Sequence, residues 1–223
     1  MCCLFSPDFR NHPVSLLTSE LFEIHDRSRF EVFAFSLQKA LIGDDMNLRL
    51  RGGFDRFIDV DDMSDRKIAQ LSRELEVAIA IDLAGPTQHA RTEIFSYRAA
   101  PIQVNWLGYP GTIGVDFIDY IVADKIIIPQ SHQQLYAEKI VYIPNTFMVD
   151  DSKRTASTRV FTREECGLPQ NAFVFCCFNN DYKFNSQVLD SLARILLSVK
   201  NSVIWVSENN EHFRANIAAE FKS

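Results

Sequence analysis

The sequence lacks several features that each mark a class of protein. Its five cysteines include no C-x-x-C pair, so a zinc ribbon or thioredoxin-type site is not expected, and the odd count fits a reducing cytoplasm. No apolar run is long enough to cross a membrane, and Asp8 and Arg10 interrupt the first apolar stretch, unlike a signal peptide. A net charge of -6 argues against a nonspecific nucleic-acid binder. We therefore expect a cytoplasmic protein with no membrane or nucleic-acid partner.

Hydrophobic residues make up 47% of the 223 residues, and 18 of them are Phe, which is enough for a sizeable core. Short apolar runs alternate with amphipathic stretches, a pattern typical of a parallel sheet with helices on both faces. Strands are predicted at 2–5, 30–35, 57–60, 77–83, 102–106, 120–122 and 140–143, and helices at 14–24 and 64–75, the second with Ser64 as its N-cap.

The composition changes after Met148, where a polar stretch poor in large apolar residues predicts a linker over 149–160. Residues 161–223 then predict a second unit. Its strands are expected at 173–178 and 202–206 and its helices at 186–199 and 210–221, which is one β-α-β-α block of an incomplete sheet. The predicted domains are therefore a lobe at 1–148, a linker, and the start of another lobe.

Two polar loops follow predicted strands of the first lobe. The segment Ser6–Pro13 contains His12, and the segment Asp82–Thr87 ends at Thr87. Ligands of open α/β sheets bind outside the carboxyl ends of strands, so His12 could contact a ligand or move a proton, and Thr87 could bond a ligand hydroxyl. The chemistry alone favours a plainer alternative, in which Asn11, His12 and Thr87 cap helices.

Two further loops could lie near an anion. The loop 107–114 holds three glycines and a proline, but it matches neither G-x-x-x-x-G-K-[ST] nor G-x-G-x-x-G, so its spacing is a weak signal. The segment 177–183 ends at Lys183, just before a predicted helix. An ammonium and a helix N-terminus would both favour a phosphate there, and a solvated surface lysine is the plain alternative.

Six segments, taken in order, resemble the catalytic region of one enzyme family. They are SPDFRNHPV, FEVFAFSL, RTEIFSYRAAPIQVNWLGYPGTIGVDFIDYIVAD, YAEKIVYIPNTF, CGLPQNAFVFCCFNNDYKF and NSVIWV. The family is that of the protein O-GlcNAc transferases and SPINDLY, glycosyltransferase family 41, and the bacterial branch is the most similar. The parts APIQVNWLGYPGT and FCCFNNDYK are long and specific, and the resemblance covers nearly the whole chain.

The resemblance implies a GT-B fold, an α/β architecture with one complete Rossmann-like lobe here and the beginning of a second. It implies an inverting, metal-independent transfer of GlcNAc from UDP-GlcNAc to Ser or Thr hydroxyls of a protein or peptide acceptor, with no cofactor. Lys183 matches the family lysine that contacts the donor diphosphate, and Asn180 and Tyr182 are expected beside the donor. His12 matches a histidine of the active-site cleft, and Thr87 and Thr112 are expected to line that cleft.

The sequence departs from the family pattern in three ways. It has no tetratricopeptide array before the catalytic region, it stops before the His-Thr-Thr segment and the Asp that hold the nucleotide, and Pro86 stands where many relatives have His or Tyr. We therefore expect a truncated second lobe with uncovered apolar faces and weak nucleotide binding. Two alternatives stay open: an inactive remnant that serves as a binding module, and a GT-B transferase that uses another donor such as GDP-fucose.

Overall fold

A seven-stranded, wholly parallel sheet forms the first part of the chain. The computed structural model describes residues 1–208 and 210–221 and separates the chain into two units, Met1–Thr155 and Ala156–Ser223. The elements of the first unit are β1 (Cys2–Ser6), α1 (Pro13–Glu23), β2 (Val32–Ser36), α2 (Asp45–Gly53), β3 (Arg56–Asp59), α3 (Asp65–Glu74), β4 (Ile79–Asp82), α4 (Glu93–Ser96), β5 (Ile102–Asn105), β6 (Tyr120–Ala123), a 3₁₀ helix (Gln130–Leu135) and β7 (Lys139–Tyr142).

The strand order is β3-β2-β1-β4-β5-β6-β7, so β1 lies in the middle of the sheet beside β4. The chain builds outward in one direction through β2 and β3 and then in the other through β4 to β7. The order therefore reverses between β1 and β4. In doubly wound sheets, ligands bind at the carboxyl ends of the strands at this switch point.

Alternation along the strands places the core on both faces of the sheet. Phe5 of β1 packs in one apolar cluster with Ile68 of α3, while Leu4 packs in another with Phe22 of α1 and Leu50 of α2. Both faces of β1 are thus covered by helices, which explains why its sequence is nearly all apolar.

Helix α2 is an element that the sequence analysis did not predict. Its sequence is mostly polar and ends in two glycines, and only Asn47, Leu50 and Gly53 are buried. The helix begins because Asp44 caps it, with a carboxylate oxygen that accepts a hydrogen bond from the Asn47 N–H at 2.9 Å. Conversely, Ser64 stands at the N-cap of α3 as predicted, but its side chain makes no capping bond.

The beginning of the predicted linker, 149–160, is fixed to the first unit. Asp151 is buried, and its carboxylate accepts hydrogen bonds from Ser19 of α1 at 3.2 Å and from Arg49 of α2. The hydrogen bond from Arg49 is the main reason why the pKa of Asp151 is lowered to about 2. Apart from Asp151 and the half-buried Val149, the stretch is exposed, and the division between the two units falls within it, after Thr155.

The second unit has the predicted β-α-β-α order. Its elements are β8 (Phe173–Cys177), a 3₁₀ helix (Asp181–Lys183), α5 (Ser186–Ser198), β9 (Ser202–Val206) and α6 (Glu211–Glu220), and β8 pairs with β9 in parallel. Among its described residues only Ala172 and Phe213 are buried apolar side chains. Over both units, no helix in the described ranges is long and apolar enough to cross a membrane.

Candidate active site

The loops that follow β1, β4 and β5 enclose a cavity of about 150 Å³. These are the carboxyl ends of neighbouring strands at the point where the strand order reverses, so the cavity lies where the fold class places its ligands. The polar side chains that line it belong to Asp8, Arg10, His12, Thr87, Gln88 and His89. The structure thus brings together two of the predicted site residues, His12 and Thr87.

His12 is held at the start of α1. Its Nδ1 accepts a hydrogen bond from the Val14 N–H at 3.3 Å, with Pro13 at the first helical position. This bond needs a lone pair on Nδ1, so the neutral ring carries its proton on Nε2. Asn11 stands before the N-cap residue His12, and its backbone N–H bonds to Asp44 at 2.8 Å. His12 thus fulfils the plainer prediction, a helix cap, while also lining the cavity.

Burial sets the charge state of His12. Burial lowers the pKa of the imidazole and is the largest influence on it; Asp8, whose Oδ2 lies 3.6 Å from Nδ1, raises that pKa, and Arg10 lowers it. The net direction is downward, so His12 is neutral at pH 7. A neutral ring with its proton on Nε2 offers a hydrogen-bond donor, and it has no free lone pair with which to act as a base.

Asp8 and Arg10 form an ion pair on the wall of the cavity, with Nη2 of Arg10 3.2 Å from Oδ1 of Asp8. The Asp8 side chain is 8% exposed, and the Arg10 side chain is 38% exposed. The Asp8 backbone is fixed by its N–H bond to the Ser6 hydroxyl at 3.0 Å and by the Ser15 hydroxyl, which donates to its carbonyl. The pair therefore contributes a buried carboxylate and a more exposed cation.

Gly108 explains how the loops after β4 and β5 come so close together. A Cβ at this position would lie 2.1 Å from the carbonyl oxygen of Leu83, and both residues line the cavity. Only glycine allows that approach. Gly85 allows the same close approach of the two loops. Its φ is +61°, and a Cβ there would lie 2.6 Å from the Tyr109 side chain.

Thr112 lies outside this cavity. Its hydroxyl donates to the buried Glu138 carboxylate at 2.7 Å and accepts from the Ala137 N–H at 3.2 Å and the Gly114 N–H at 3.0 Å. Those bonds fasten the glycine-rich loop to the chain before β7. The hydroxyl of Thr112 is thus used within the fold, whereas the Thr87 hydroxyl makes one long bond, to the Ala84 carbonyl at 3.2 Å.

The predicted residues of the second unit share one loop between β8 and α5. Asn180 stands before the 3₁₀ helix, and Tyr182 and Lys183 belong to it. The Tyr182 side chain is 77% exposed and lines a cavity of about 400 Å³ within this unit. Lys183 is exposed, and within the described ranges no residue bonds its ammonium; α5 begins three residues later, capped by Asn185.

The sequence analysis did not single out Asp8, Arg10, Gln88 and His89 as residues that line the cavity. Asp8 and Arg10 stand in the same loop as His12, so their position after a central strand was the available signal. His89 has a positive φ of 64°, which no pattern in the sequence announces. Within the described residues, no three His, Cys, Asp or Glu side chains are grouped as a metal site would require.

Comparisons with known proteins show which enzymes the chain resembles. Probable UDP-N-acetylglucosamine–peptide N-acetylglucosaminyltransferase SEC of Arabidopsis thaliana is 35% identical over 224 residues, which cover 96% of this chain and 23% of that protein. The probable transferase SPINDLY of Oryza sativa subsp. japonica is 33% identical over 210 residues, covering 90% and 22%. The chain therefore spans less than a quarter of the length of these curated relatives.

A solved structure supports the fold. The solved structure of an O-GlcNAc transferase of Thermobaculum terrenum, a variant with one lysine replaced by methionine, matches 99% of this chain and 41% of its own with a TM-score of 0.84 at 26% identity. The predicted GT-B type of α/β fold is confirmed by this match and by the parallel sheet. The sequence profile of Glycosyl transferase family 41 matches residues 2–158 and 153–222. The chain belongs to glycosyl transferase family 41.

Proposed function

We propose that this chain is part of the catalytic region of an enzyme that transfers GlcNAc from UDP-GlcNAc to Ser or Thr hydroxyls of protein or peptide acceptors. The observation that carries the proposal is the cavity at the switch point of the sheet. His12 and Thr87 both line this cavity, and both lie in the part of the chain that matches the family. The relatives are named UDP-N-acetylglucosamine–peptide N-acetylglucosaminyltransferases, which favours this donor and this acceptor over GDP-fucose.

His12 is proposed to position the substrate through Nε2–H. Capping of α1 occupies Nδ1, and burial keeps the ring neutral. A neutral donor in a partly buried site can hold an oxygen of the sugar or of the acceptor without adding charge. Thr87 is proposed to add a hydroxyl contact within the same cavity.

Lys183 is proposed to stabilise the departing diphosphate. As the bond between the sugar and UDP breaks, negative charge grows on the β-phosphate, and an ammonium beside it lowers the barrier. The exposed ammonium at the start of α5 is free for such a contact, and the helix N-terminus adds a favourable dipole. Asn180 and Tyr182 are proposed donor contacts in the same loop. The transfer is proposed to need no metal and to take place in the cytoplasm.

Replacing Lys183 with Ala tests the proposal. We expect the rate of transfer from UDP-GlcNAc to an acceptor protein to fall by about 10²-fold, since one charge contact to the transition state is lost. Lys200→Ala is the matched control, because Lys200 is another exposed lysine of the same unit, after α5. It should leave the rate unchanged.

UDP titration by calorimetry separates the possible failures of this test. If Lys183→Ala transfers sugar as fast as the unaltered chain, the role of Lys183 is wrong while the function stands. If the unaltered chain turns over no UDP-GlcNAc, this part of the catalytic region is inactive by itself, and the binding module becomes the better interpretation for it.

A further inference from the structure

Two buried polar atoms at the carboxyl edge of the sheet have no hydrogen-bond partner among the described residues. One is Oδ2 of Asp82, the last residue of β4, and the other is Oδ1 of Asn105, the last residue of β5. Asp82 is 2% exposed and Asn105 is 0% exposed. Leaving two buried oxygens unpaired is costly, so this coincidence needs a physical account.

The sheet places the two side chains next to each other. Asp82 and Asn105 are register partners on parallel strands, so their side chains point to the same face from backbones about 5 Å apart. Their other polar atoms are engaged with separate loops. Oδ1 of Asp82 accepts from the N–H groups of Ala84 at 2.9 Å and Gly85 at 3.2 Å, and Nδ2 of Asn105 donates to the Tyr109 carbonyl at 3.0 Å.

Rotating the Asn105 amide would not remove the problem. Nδ2 also lies 3.4 Å from the Gly111 carbonyl, so an exchanged amide would set its oxygen against two carbonyl oxygens. Both unpaired atoms are then acceptors on register partners of neighbouring strands, and one hydrogen shared between them would satisfy both.

We propose that Asp82 is a protonated carboxylic acid in the folded protein and donates from Oδ2 to Oδ1 of Asn105. This bond joins the loop after β4, held by Asp82, to the glycine-rich loop after β5, held by Asn105. Leu83 and Gly108 in those loops line the cavity that contains His12. Asp82 and Asn105 are therefore positioning residues, which fix one wall of the site without touching a substrate.

The surroundings of Asp82 contain little to keep it ionised. Its other register partner is Phe5 on β1, and the titratable side chain in the glycine-rich loop is Tyr109. In the loop after β1, Asp8 is paired with Arg10. No ion pair involves Asp82 within the described ranges, and burial raises its pKa, against the effect of the Ala84 and Gly85 N–H groups.

The ¹³C NMR signal of the Asp82 carboxyl carbon, assigned by its loss in Asp82→Asn, tests the proposal on the whole chain. We expect it at the position of an un-ionised acid at pH 6, where exposed carboxyls are ionised. An ionised Asp82 at that pH, with or without a bridging water, would overturn the proposal. The link to the active site rests on the proposed function, but this signal does not, so the two can fail separately.

Stability against pH gives an independent test. Asp82→Asn keeps an acceptor for the loop and gains an N–H donor toward Asn105, so it imitates the protonated acid. A raised pKa means that the acid's contribution to stability is complete below its unfolded pKa and is lost as pH rises toward its folded pKa. The unfolding constant of the unaltered chain, divided by that of Asp82→Asn, should therefore increase by up to about tenfold per pH unit above about pH 4.

Asp82→Leu separates positioning from simple filling of space, since leucine has a similar volume and no polar atoms. We expect the amide NMR signals of residues 83–87 and 107–111 to move in Asp82→Leu and to stay close to their original places in Asp82→Asn. A flat ratio of unfolding constants above pH 5, or equal disturbance of the loops by both variants, would contradict the shared proton. If Asp82→Leu does not fold, the carboxyl signal of the unaltered chain still decides.

Discussion

His12 combines a structural and a chemical task on the two nitrogens of one ring. Asparagine separates these tasks, because it caps helices as well as any residue but has no Nε2–H. We expect His12→Asn to leave the free energy of unfolding within about 0.5 kcal/mol and to lower the rate of sugar transfer by at least about tenfold. His132→Asn, at an exposed site in the 3₁₀ helix before β7, is the control.

The pH dependence of the rate gives a second measurement of His12. Burial lowers its pKa below the ordinary value near 6.5, so the neutral donor is present at pH 7 and is lost only as pH falls below that value. The unaltered chain should keep a flat rate between pH 7 and 8. A His12→Asn variant that transfers sugar at the original rate would show that the imidazole serves only as a cap.

The sequence predicted contacts between residues that are close along the chain. It did not predict contacts between residues that the sheet brings together. The capping of α1 by His12 follows from a polar residue before a proline, and it was predicted as the plain alternative. The Asp82–Asn105 pair joins residues 23 positions apart, and nothing in either segment says that the two strands are neighbours in register. Asp82 and Asn105 are both polar residues at the ends of apolar strands, and that position was the signal available in the sequence.

At the scale of elements, the contact between the loops after β4 and β5 depends on Gly108. Replacing it with Ala would force a Cβ against the Leu83 carbonyl, so we expect a loss of about 2–4 kcal/mol in the free energy of unfolding. Gly52→Ala is the matched control: it lies exposed inside α2 with no atom within 4 Å of a new Cβ, and it should stabilise by up to about 1 kcal/mol.

Urea titrations of the two glycine variants measure this contrast. A Gly108→Ala variant as stable as the unaltered chain would mean that the two loops can separate without cost, and the cavity wall would then be less rigid than the close approach implies. Equal losses in both variants would point to a general effect of alanine and would remove the special role of Gly108.

Elements with a strong apolar signal were predictable, and those held by polar anchors were not. All nine strands were expected within about two residues of their observed bounds. The signal was clearest for the buried central strands β1 and β2, which are nearly continuous apolar runs. Helix α2 depends instead on a local cap, from Asp44 to Asn47, and the chain around Asp151 depends on Arg49, which is distant in sequence. A polar composition predicted the linker over 149–160, but the contact of Asp151 with Arg49 could not be read from composition, because the two residues are distant in sequence.

For the whole molecule, the family assignment and the site assignment rest on different grounds. The family follows from long matching segments over nearly the entire chain, and the fold of each unit follows with it. The proposed role of Lys183 depends on a contact with the diphosphate of a substrate. Lys183 lies in an exposed loop of the second unit, and the Lys183→Ala assay tests that contact.

The two units should differ in stability, because their cores differ. The first unit buries several phenylalanines on both faces of its sheet, whereas helix α5 of the second has no buried residue and Phe173 is 60% exposed. Less apolar area removed from water means less stabilisation. The two tryptophans of the sequence report on the units separately, since Trp106 follows β5 and Trp205 belongs to β9.

Single-tryptophan variants make this difference measurable. Trp205→Phe leaves Trp106 as the probe of the first unit, and Trp106→Phe leaves Trp205 as the probe of the second. We expect the Trp205 fluorescence transition at a clearly lower urea concentration than the Trp106 transition, because the second sheet has only two strands and few buried side chains. Circular dichroism of each variant controls for effects of the substitution itself. Coincident transitions in both variants would mean that the units unfold together, and the second unit would then draw its stability from the first.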